Sequence, residues 1–118
     1  MTKHRNLLAW QVARELVREV YRITKHFPND ERFSLTQQLR RAAVSVAANI
    51  AEGMARLGPR EAAHGLSMSL GSLAEVDTLM AVAQDQSYVS QAEVDAMTVL
   101  QTRAGRLILG LQRSLRAA

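Results

Sequence analysis

The sequence contains no cysteine, which excludes both a disulfide framework and a thiolate metal site. Only two of its 118 residues are proline and only 4% are aromatic, whereas 47% are hydrophobic. This balance favours closely packed helices over a β-sandwich. The apolar run that begins at Leu7 ends before Arg14 and is too short to export the chain or to span a bilayer. We therefore expect a cytoplasmic protein that does not enter a membrane.

The sequence also lacks the patterns that catalytic and cofactor sites require. It has no glycine-rich phosphate loop and no serine in a nucleophile-elbow context. Its three histidines, His4, His26 and His64, lie in different segments, and none has a second ligand at metal-binding spacing on its own helix. We expect solvated surface histidines, no metal, no cofactor and no enzymatic activity.

Turn signals divide the chain into four segments of helical length. They lie at Phe27 to Asp30, at Gly58-Pro59 and at Ser87 to Val89. Ser34 with Gln37 and Ser90 with Glu93 resemble capping boxes, and Pro59 suits a first helical turn. The predicted helices are 7–26, 35–57, 60–86 and 91–116. The sequence predicts an all-α protein, an antiparallel up-and-down four-helix bundle that forms a single domain over residues 1–118.

The apolar faces of the four predicted helices differ in width. The second helix has one stripe, made of Leu35, Leu39, Ala42, Ala43, Val46, Ile50, Met54 and Leu57. On the first helix the apolar residues cover roughly 220°, about twice what one-sided packing needs. The third helix has a second, mixed face. This excess predicts self-association or a permanent partner, with an interface drawn from Trp10, Val17, Tyr21, Met68 and Leu79.

Basic side chains recur at helical spacing on two segments. Residues 1–60 hold 11 Lys and Arg against 5 Asp and Glu, and residues 61–118 hold 4 against 6, which together make the totals of 15 and 11. On the first helix the basic strip is Arg14, Arg18, Arg22 and Lys25. On the fourth helix it is Arg103, Arg106, Arg113 and Arg116. Either strip can follow the phosphates of RNA or DNA.

The alternative for these strips is an ordinary solvated helix face. Glu15 and Glu19 border the first strip and can pair with Arg18 and Arg22. No aromatic residue alternates with either strip, so base stacking is not indicated. A nucleic-acid contact at these strips is expected to use phosphates, to weaken with salt and to have little sequence specificity.

One acidic residue falls on the predicted apolar stripe of the third helix. Asp77 follows Leu66, Leu70 and Leu73 there, and an unpaired buried carboxylate is costly. An antiparallel hairpin that turns near Gly58 brings the second helix level with it. We therefore predict a structural ion pair between Asp77 and Arg40 or Arg41.

The stretch from Leu35 to Gly53 reads LTQQLRRAAVSVAANIAEG. With Leu8 to Ala13, Tyr21 to Pro28 and Gly71 to Asp77, it resembles a bacterial four-helix-bundle family. This family includes proteins encoded in intervening sequences of 23S ribosomal RNA genes and the accessory variability determinant of diversity-generating retroelements. The resemblance implies a ring-like homopentamer with a basic surface that binds nucleic acid. In the retroelement branch it also implies a reverse transcriptase and its template RNA as partners.

Together these observations favour a non-enzymatic, oligomeric accessory protein that binds nucleic acid, and RNA in particular, through basic helix surfaces. The alternative is a structural homo-oligomer that scaffolds a protein partner through its apolar faces. Salt-dependent binding of RNA or DNA distinguishes the two.

Overall fold

The computed structural model describes residues 3–117, and within that range every long element is helical. The helices are α1 (Leu8–Thr24), α2 (Leu35–Ala55), α3 (Pro59–Asp85) and α4 (Gln91–Ala117). Short 3₁₀ turns cover Lys3–Asn6 and Asn29–Glu31. The four predicted helices are confirmed, with ends that differ by at most two residues.

The helix starts are stabilised in different ways. Ser90 and Glu93 form the predicted reciprocal capping box, because the Glu93 amide donates to Ser90 Oγ and the Ser90 amide donates to Glu93 Oε1. Pro59 occupies the first turn of α3, as predicted. Ser34 makes no side-chain cap, so the capping box predicted for Ser34 and Gln37 is wrong. Glu31 Oε1 accepts the Leu35 amide there instead, at 3.4 Å.

Each helix packs against its neighbours in the chain, and α4 also packs against α1. Hydrogen bonds between helices fix their antiparallel directions. Arg40 near the start of α2 bonds to Thr24 at the end of α1, and Gln112 near the end of α4 bonds to the Ala63 carbonyl at the start of α3. The expected up-and-down bundle is confirmed.

The core lies between all four helices. Its largest fully buried side chains include Leu16, Ile23, Leu39, Ile50, Leu66, Met97 and Ile108. Two polar side chains are also buried and satisfied. Ser69 Oγ donates to the Val46 carbonyl at 2.7 Å, and Gln112 Nε2 donates to Ala63 O and to Ser67 Oγ. No buried side-chain nitrogen or oxygen in the described part of the chain lacks a partner.

Helices α2 and α3 make the most extensive contact in the bundle. They cross closely at Gly53 and Gly65, where a Cβ atom added to Gly65 would lie 2.6 Å from the Gly53 Cα. Such a distance is far inside van der Waals contact, so a side chain at Gly65 is excluded unless the helices separate. The glycine pair therefore determines how near the two helices approach beside their turn.

The buried face of α3 runs through Leu66, Ser69, Leu73, Val76 and Ala83. The predicted stripe through Leu70 and Asp77 is therefore rotated from the observed one. This rotation leaves Asp77 exposed and puts Leu79 in the core. Leu79 is thus a core residue and not the interface residue that the sequence predicted.

The predicted ion pair of Asp77 with Arg40 or Arg41 is wrong for the same reason. Asp77 accepts a hydrogen bond from Gln101 Nε2 on α4 at 2.9 Å. Arg40 lies on the opposite side of α2, where its Nε donates to Thr24 Oγ1. Arg41 is exposed and shares a shallow groove with Glu75 of α3, without an ion pair.

The α2 stripe also ends earlier than predicted. Leu57 is fully exposed, because α2 ends at Ala55 and the backbone of Arg56 is extended. Leu57 thus lies in the turn between α2 and α3 and not on the apolar face of α2.

Helix α3 is the one helix within residues 3–117 that is long and apolar enough to cross a membrane. Its apolar side packs in the core through Leu66, Leu73 and Val76. A core helix of a bundle meets the same criteria, so length and composition are weak evidence for a membrane span.

Candidate nucleic-acid interface

The four helices present outer faces of different charge. Helices α1 and α4, which are neighbours, expose the two predicted basic strips. The exposed acids of α3 include Glu75, Asp77 and Asp85, and no Lys or Arg occurs between Arg60 and the end of that helix. Residues 42–51 of α2 contain no charged residue at all. The outer faces of α1 and α4 are therefore basic, whereas α3 beyond Arg60 is acidic and the middle of α2 is uncharged.

The α1 strip lies on the side of the helix that faces away from the core, and all four of its members are exposed. Arg22 forms an ion pair with Glu19 one turn earlier, and its Nε donates to Glu19 Oε2 at 3.1 Å. This bond lowers the pKa of Glu19 and raises that of Arg22. Arg14, Arg18 and Lys25 form no ion pair with any described carboxylate, so three of the four charges remain uncompensated.

The α4 strip begins at Arg103 and continues through Arg106 and Arg113, all exposed and none in an ion pair among residues 3–117. Because α4 is antiparallel to α1, this half of α4 lies beside the start of α1. The other half of α4 carries Glu93, whose charge acts on Arg22. The α4 strip thus adds its positive charge at the end of the bundle where α1 begins.

The candidate interface residues of α1 and α3 differ in exposure. Trp10 is half-buried because the chain covers its ring, with Arg5 and Arg14 over it at 5.5 and 5.0 Å and His4 edge-on. Val17 is half-buried against the core. Tyr21 is 39% exposed and Met68 is 50% exposed. These last two leave the most apolar surface uncovered.

A cavity of about 530 Å³ lies in the groove between α1 and α2, at the end where α1 finishes. We call it the arginine pocket, because Arg32, Arg40 and Arg41 line it together with Tyr21 and Phe33. Arg40 lies 4.5 Å from the centre of the Tyr21 ring, and Arg32 lies 4.7 Å from that of Phe33. Phe33 is 78% exposed. The pocket therefore combines three cations with two accessible aromatic rings.

Another groove lies between α2 and α3 beside the glycine pair, with a volume of about 400 Å³. Its charges are mixed, since Glu52 and Arg56 form an exposed ion pair 3.4 Å long and Glu61 and Arg60 also line it. His64 lies there without a second histidine. No group of three or more His, Asp or Glu side chains in the described ranges is arranged to hold a metal ion.

The sequence pattern of one family covers most of the chain. The family described as 23S rRNA-intervening sequence protein matches residues 5–110. The chain belongs to this family. The resemblance seen in residues 35–53 is thereby confirmed.

A solved structure agrees with the fold of this chain. It is a protein of unknown function from the S23 ribosomal protein family of Bacteroides thetaiotaomicron. The similarity has a TM-score of 0.81 over 89% of this chain and 98% of the other, at 16% sequence identity. At this identity the comparison supports the fold alone. No curated protein sequence matches the chain.

The arginine pocket is not predicted by the sequence. Arg32 and Phe33 lie in the connection between α1 and α2, outside the helical strips. Tyr21 belongs to α1 and Arg40 to α2. These residues come together only when the two helices pack, although the adjacent Arg32-Phe33 and Arg40-Arg41 pairs were visible signals.

Proposed function

We propose that this member of the family is a cytoplasmic, non-enzymatic, oligomeric accessory protein that binds RNA through the outer faces of α1 and α4. The observation that carries the proposal is the distribution of charge. The neighbouring helices α1 and α4 carry the two basic strips, whereas residues 61–85 of α3 contain no Lys or Arg. Among the strip residues described, Arg22 alone is paired with a carboxylate. Unpaired surface arginines on adjacent helices suit phosphates, which dominate the affinity of proteins for nucleic acids.

Self-association is the second part of the proposal. Another copy can cover the uncharged stretch of α2, residues 42–51, at its exposed Ala48 without burying a charge. Met68, which is 50% exposed, adds apolar surface on the neighbouring α3. The resemblance implies a homopentamer, which would have a mass five times the 13.1 kDa of the chain. For the retroelement branch the implied partner is a reverse transcriptase with its template RNA.

Fluorescence anisotropy with labelled duplex RNA and duplex DNA at several salt concentrations tests RNA binding. We expect the logarithm of the association constant to fall linearly with the logarithm of salt concentration, since each phosphate contact releases counterions. The double variant Arg106→Gln and Arg113→Gln should reduce the magnitude of the slope by about one for each phosphate that the protein no longer neutralises.

The control removes two charges on the α2–α3 side of the bundle, away from the α1 and α4 faces, by Arg56→Gln with Arg60→Gln. It should change the slope much less than the α4 double variant. Equal effects of the two double variants would show that net charge, and not the α1 and α4 faces, governs binding.

The alternative function is a scaffold that binds a protein partner through the apolar surface of α1, α2 and α3. It is favoured by the exposure of Tyr21 and Met68. If the protein binds neither RNA nor DNA at low salt but still self-associates, the result would support the scaffold function.

A further inference from the structure

We infer that the arginine pocket binds an unpaired nucleotide of single-stranded nucleic acid, with the phosphate held by Arg32, Arg40 and Arg41 and the base stacked on Phe33. The inference rests on the proposed nucleic-acid binding but concerns a separate site. It assigns that site a selectivity that the basic strips do not have.

The charge of the pocket fits a phosphate. None of its three arginines forms an ion pair in the part of the chain that the structure describes. The nearby acid Glu31 is already engaged, since its Oε2 accepts the Tyr88 hydroxyl at 2.9 Å and its Oε1 accepts the Leu35 amide. Glu75 faces Arg41 alone, across the shallow groove between α2 and α3. No acidic side chain lines the pocket itself, so the three arginines give its lining a net positive charge.

Arg40 is held in place for such a contact. Its Nε donates to the buried Thr24 Oγ1 at 2.8 Å, and its guanidinium lies over the Tyr21 ring. The bond uses Nε, so both Nη atoms remain available to an acceptor in the pocket. A fixed guanidinium loses less side-chain entropy when it binds a phosphate, and it presents its donors in the forked geometry that phosphate oxygens match.

The aromatic rings identify the ligand as a nucleotide and not a bare phosphate. Arg32 lies over the Phe33 ring, yet most of that side chain remains accessible to solvent. An exposed phenylalanine in a pocket lined by arginines is a stacking surface for a nucleobase, because bases stack both on aromatic rings and on guanidinium planes.

The shape of the pocket favours an unpaired nucleotide. Its volume of about 530 Å³ falls within the range of small-molecule sites. A base inside a duplex has both faces covered by its neighbours and cannot reach a ring in a groove. Single strands, loops and ends can present a base this way. The basic strips, by contrast, contact phosphates whether or not the bases are paired.

The test measures anisotropy with a labelled single-stranded RNA and with its duplex, using three forms of the full chain. These are the wild type, Phe33→Leu and Phe33→Tyr. Phe33→Leu should weaken single-strand binding about tenfold and leave duplex binding unchanged, because it removes the stacking ring. Phe33→Tyr keeps a ring and should bind the single strand as the wild type does. Since Phe33 is exposed, neither variant should disturb the fold, which circular dichroism checks.

The phosphate contact has its own variant. Arg32→Gln with Arg41→Gln should weaken single-strand binding and lower the magnitude of its salt slope by about 0.7 for each phosphate that is no longer neutralised. Arg40 is left unchanged in this test, because its bond to Thr24 also supports the packing of α1 on α2.

Several outcomes would overturn the inference. If Phe33→Leu and Phe33→Tyr bind the single strand equally well, no base stacks there. If Phe33→Leu instead changes the sedimentation mass, the pocket is a contact between copies of the chain. If the wild type binds duplex and single strand and no pocket variant has an effect, the pocket fails while the proposed function stands. Absence of any binding would remove both.

Discussion

Two glycines of α3, Gly65 and Gly71, have different structural roles. Gly65 contacts the backbone of α2 through Gly53, whereas an added Cβ at Gly71 would meet nothing within 4 Å. Both are helical glycines, so both lose the same backbone freedom on folding. Only the first is required by packing, and the second merely weakens the helix.

The Gly65→Ala variant should destabilise the protein by about 1–3 kcal/mol, because the helices must separate to admit the methyl group. Gly71→Ala should stabilise it by about 0.5–1 kcal/mol through helix propensity. Urea denaturation followed by circular dichroism measures both free energies of unfolding. A destabilised Gly71→Ala, or an unchanged Gly65→Ala, would contradict this assignment.

Tyr88 links two connections at one end of the bundle. It lies in the turn before α4, packs on Phe27 with ring centres 5.4 Å apart, and donates its hydroxyl to Glu31. The bond to a carboxylate raises the pKa of the Tyr88 hydroxyl. The protonated phenol is thus favoured in the folded chain, and the unfolded chain ionises first as the pH rises.

The resulting stabilisation is complete below the ordinary tyrosine pKa of about 10 and is lost as the pH rises through the higher folded value. We expect the difference in unfolding free energy between wild type and Tyr88→Phe to be constant near neutral pH and to shrink above about pH 10. Denaturation curves at a series of alkaline pH values measure it. A difference that grows with pH would contradict the direction of the shift.

At the scale of helices, two similar sequence signals have different outcomes. Ser90 and Glu93 bond reciprocally at the start of α4, whereas Ser34 makes no cap at the start of α2. The backbone of Ser34 itself departs from the extended conformation that a capping serine usually adopts. Glu31, four residues earlier than Leu35, takes over the bond to the free amide.

We expect Ser90→Ala to lower the free energy of unfolding by about 0.5–2 kcal/mol, the usual cost of removing a cap. Ser34→Ala is the matched control and should have little effect, because its side chain makes no capping bond. Thermal melts of the two variants give the comparison, and similar losses in both would show that Ser34 also caps its helix in solution.

Periodicity predicted the four helices well, but it did not fix how each one is rotated. On α3 the apolar residues lie on both sides of Leu73, so two stripes are possible from the sequence. The observed stripe includes Ser69, whose buried hydroxyl is satisfied by the Val46 carbonyl. A sequence cannot show that bond in advance, because its acceptor is the backbone of another helix. The same uncertainty in rotation produced the wrong roles for Asp77 and Leu79.

Over the whole molecule, the basic strips were predictable because their residues follow one helical face. The arginine pocket was not, because it combines residues from α1, α2 and the connection between them. The molecule as a whole measures 46 × 24 × 20 Å, so the pocket and the concentrated arginines of α4 lie toward opposite ends of an elongated body. A single-stranded nucleic acid long enough to run along the bundle can contact both the pocket and the α4 arginines.

Self-association of the whole molecule can be tested with substitutions that add a charge to the surface. Ala48→Glu places a carboxylate on the uncharged outer face of α2 and should lower the mass in sedimentation velocity, because an unpaired charge is costly to bury between copies. Ala81→Glu puts the same charge on the exposed face of α3, among acids, and should leave the mass unchanged. A wild type that sediments as a 13.1 kDa monomer would refute the assembly itself.

The close crossing at Gly53 and Gly65 also has a consequence for how the chain reaches its native state. Only three residues separate α2 from α3, so closing this hairpin costs little chain entropy, and its interface is the largest in the bundle. Local contacts of this kind speed folding. Mutations at the α2–α3 interface should therefore slow refolding. Mutations at the interface between α1 and α4, the first and last helices of the chain, should mainly accelerate unfolding.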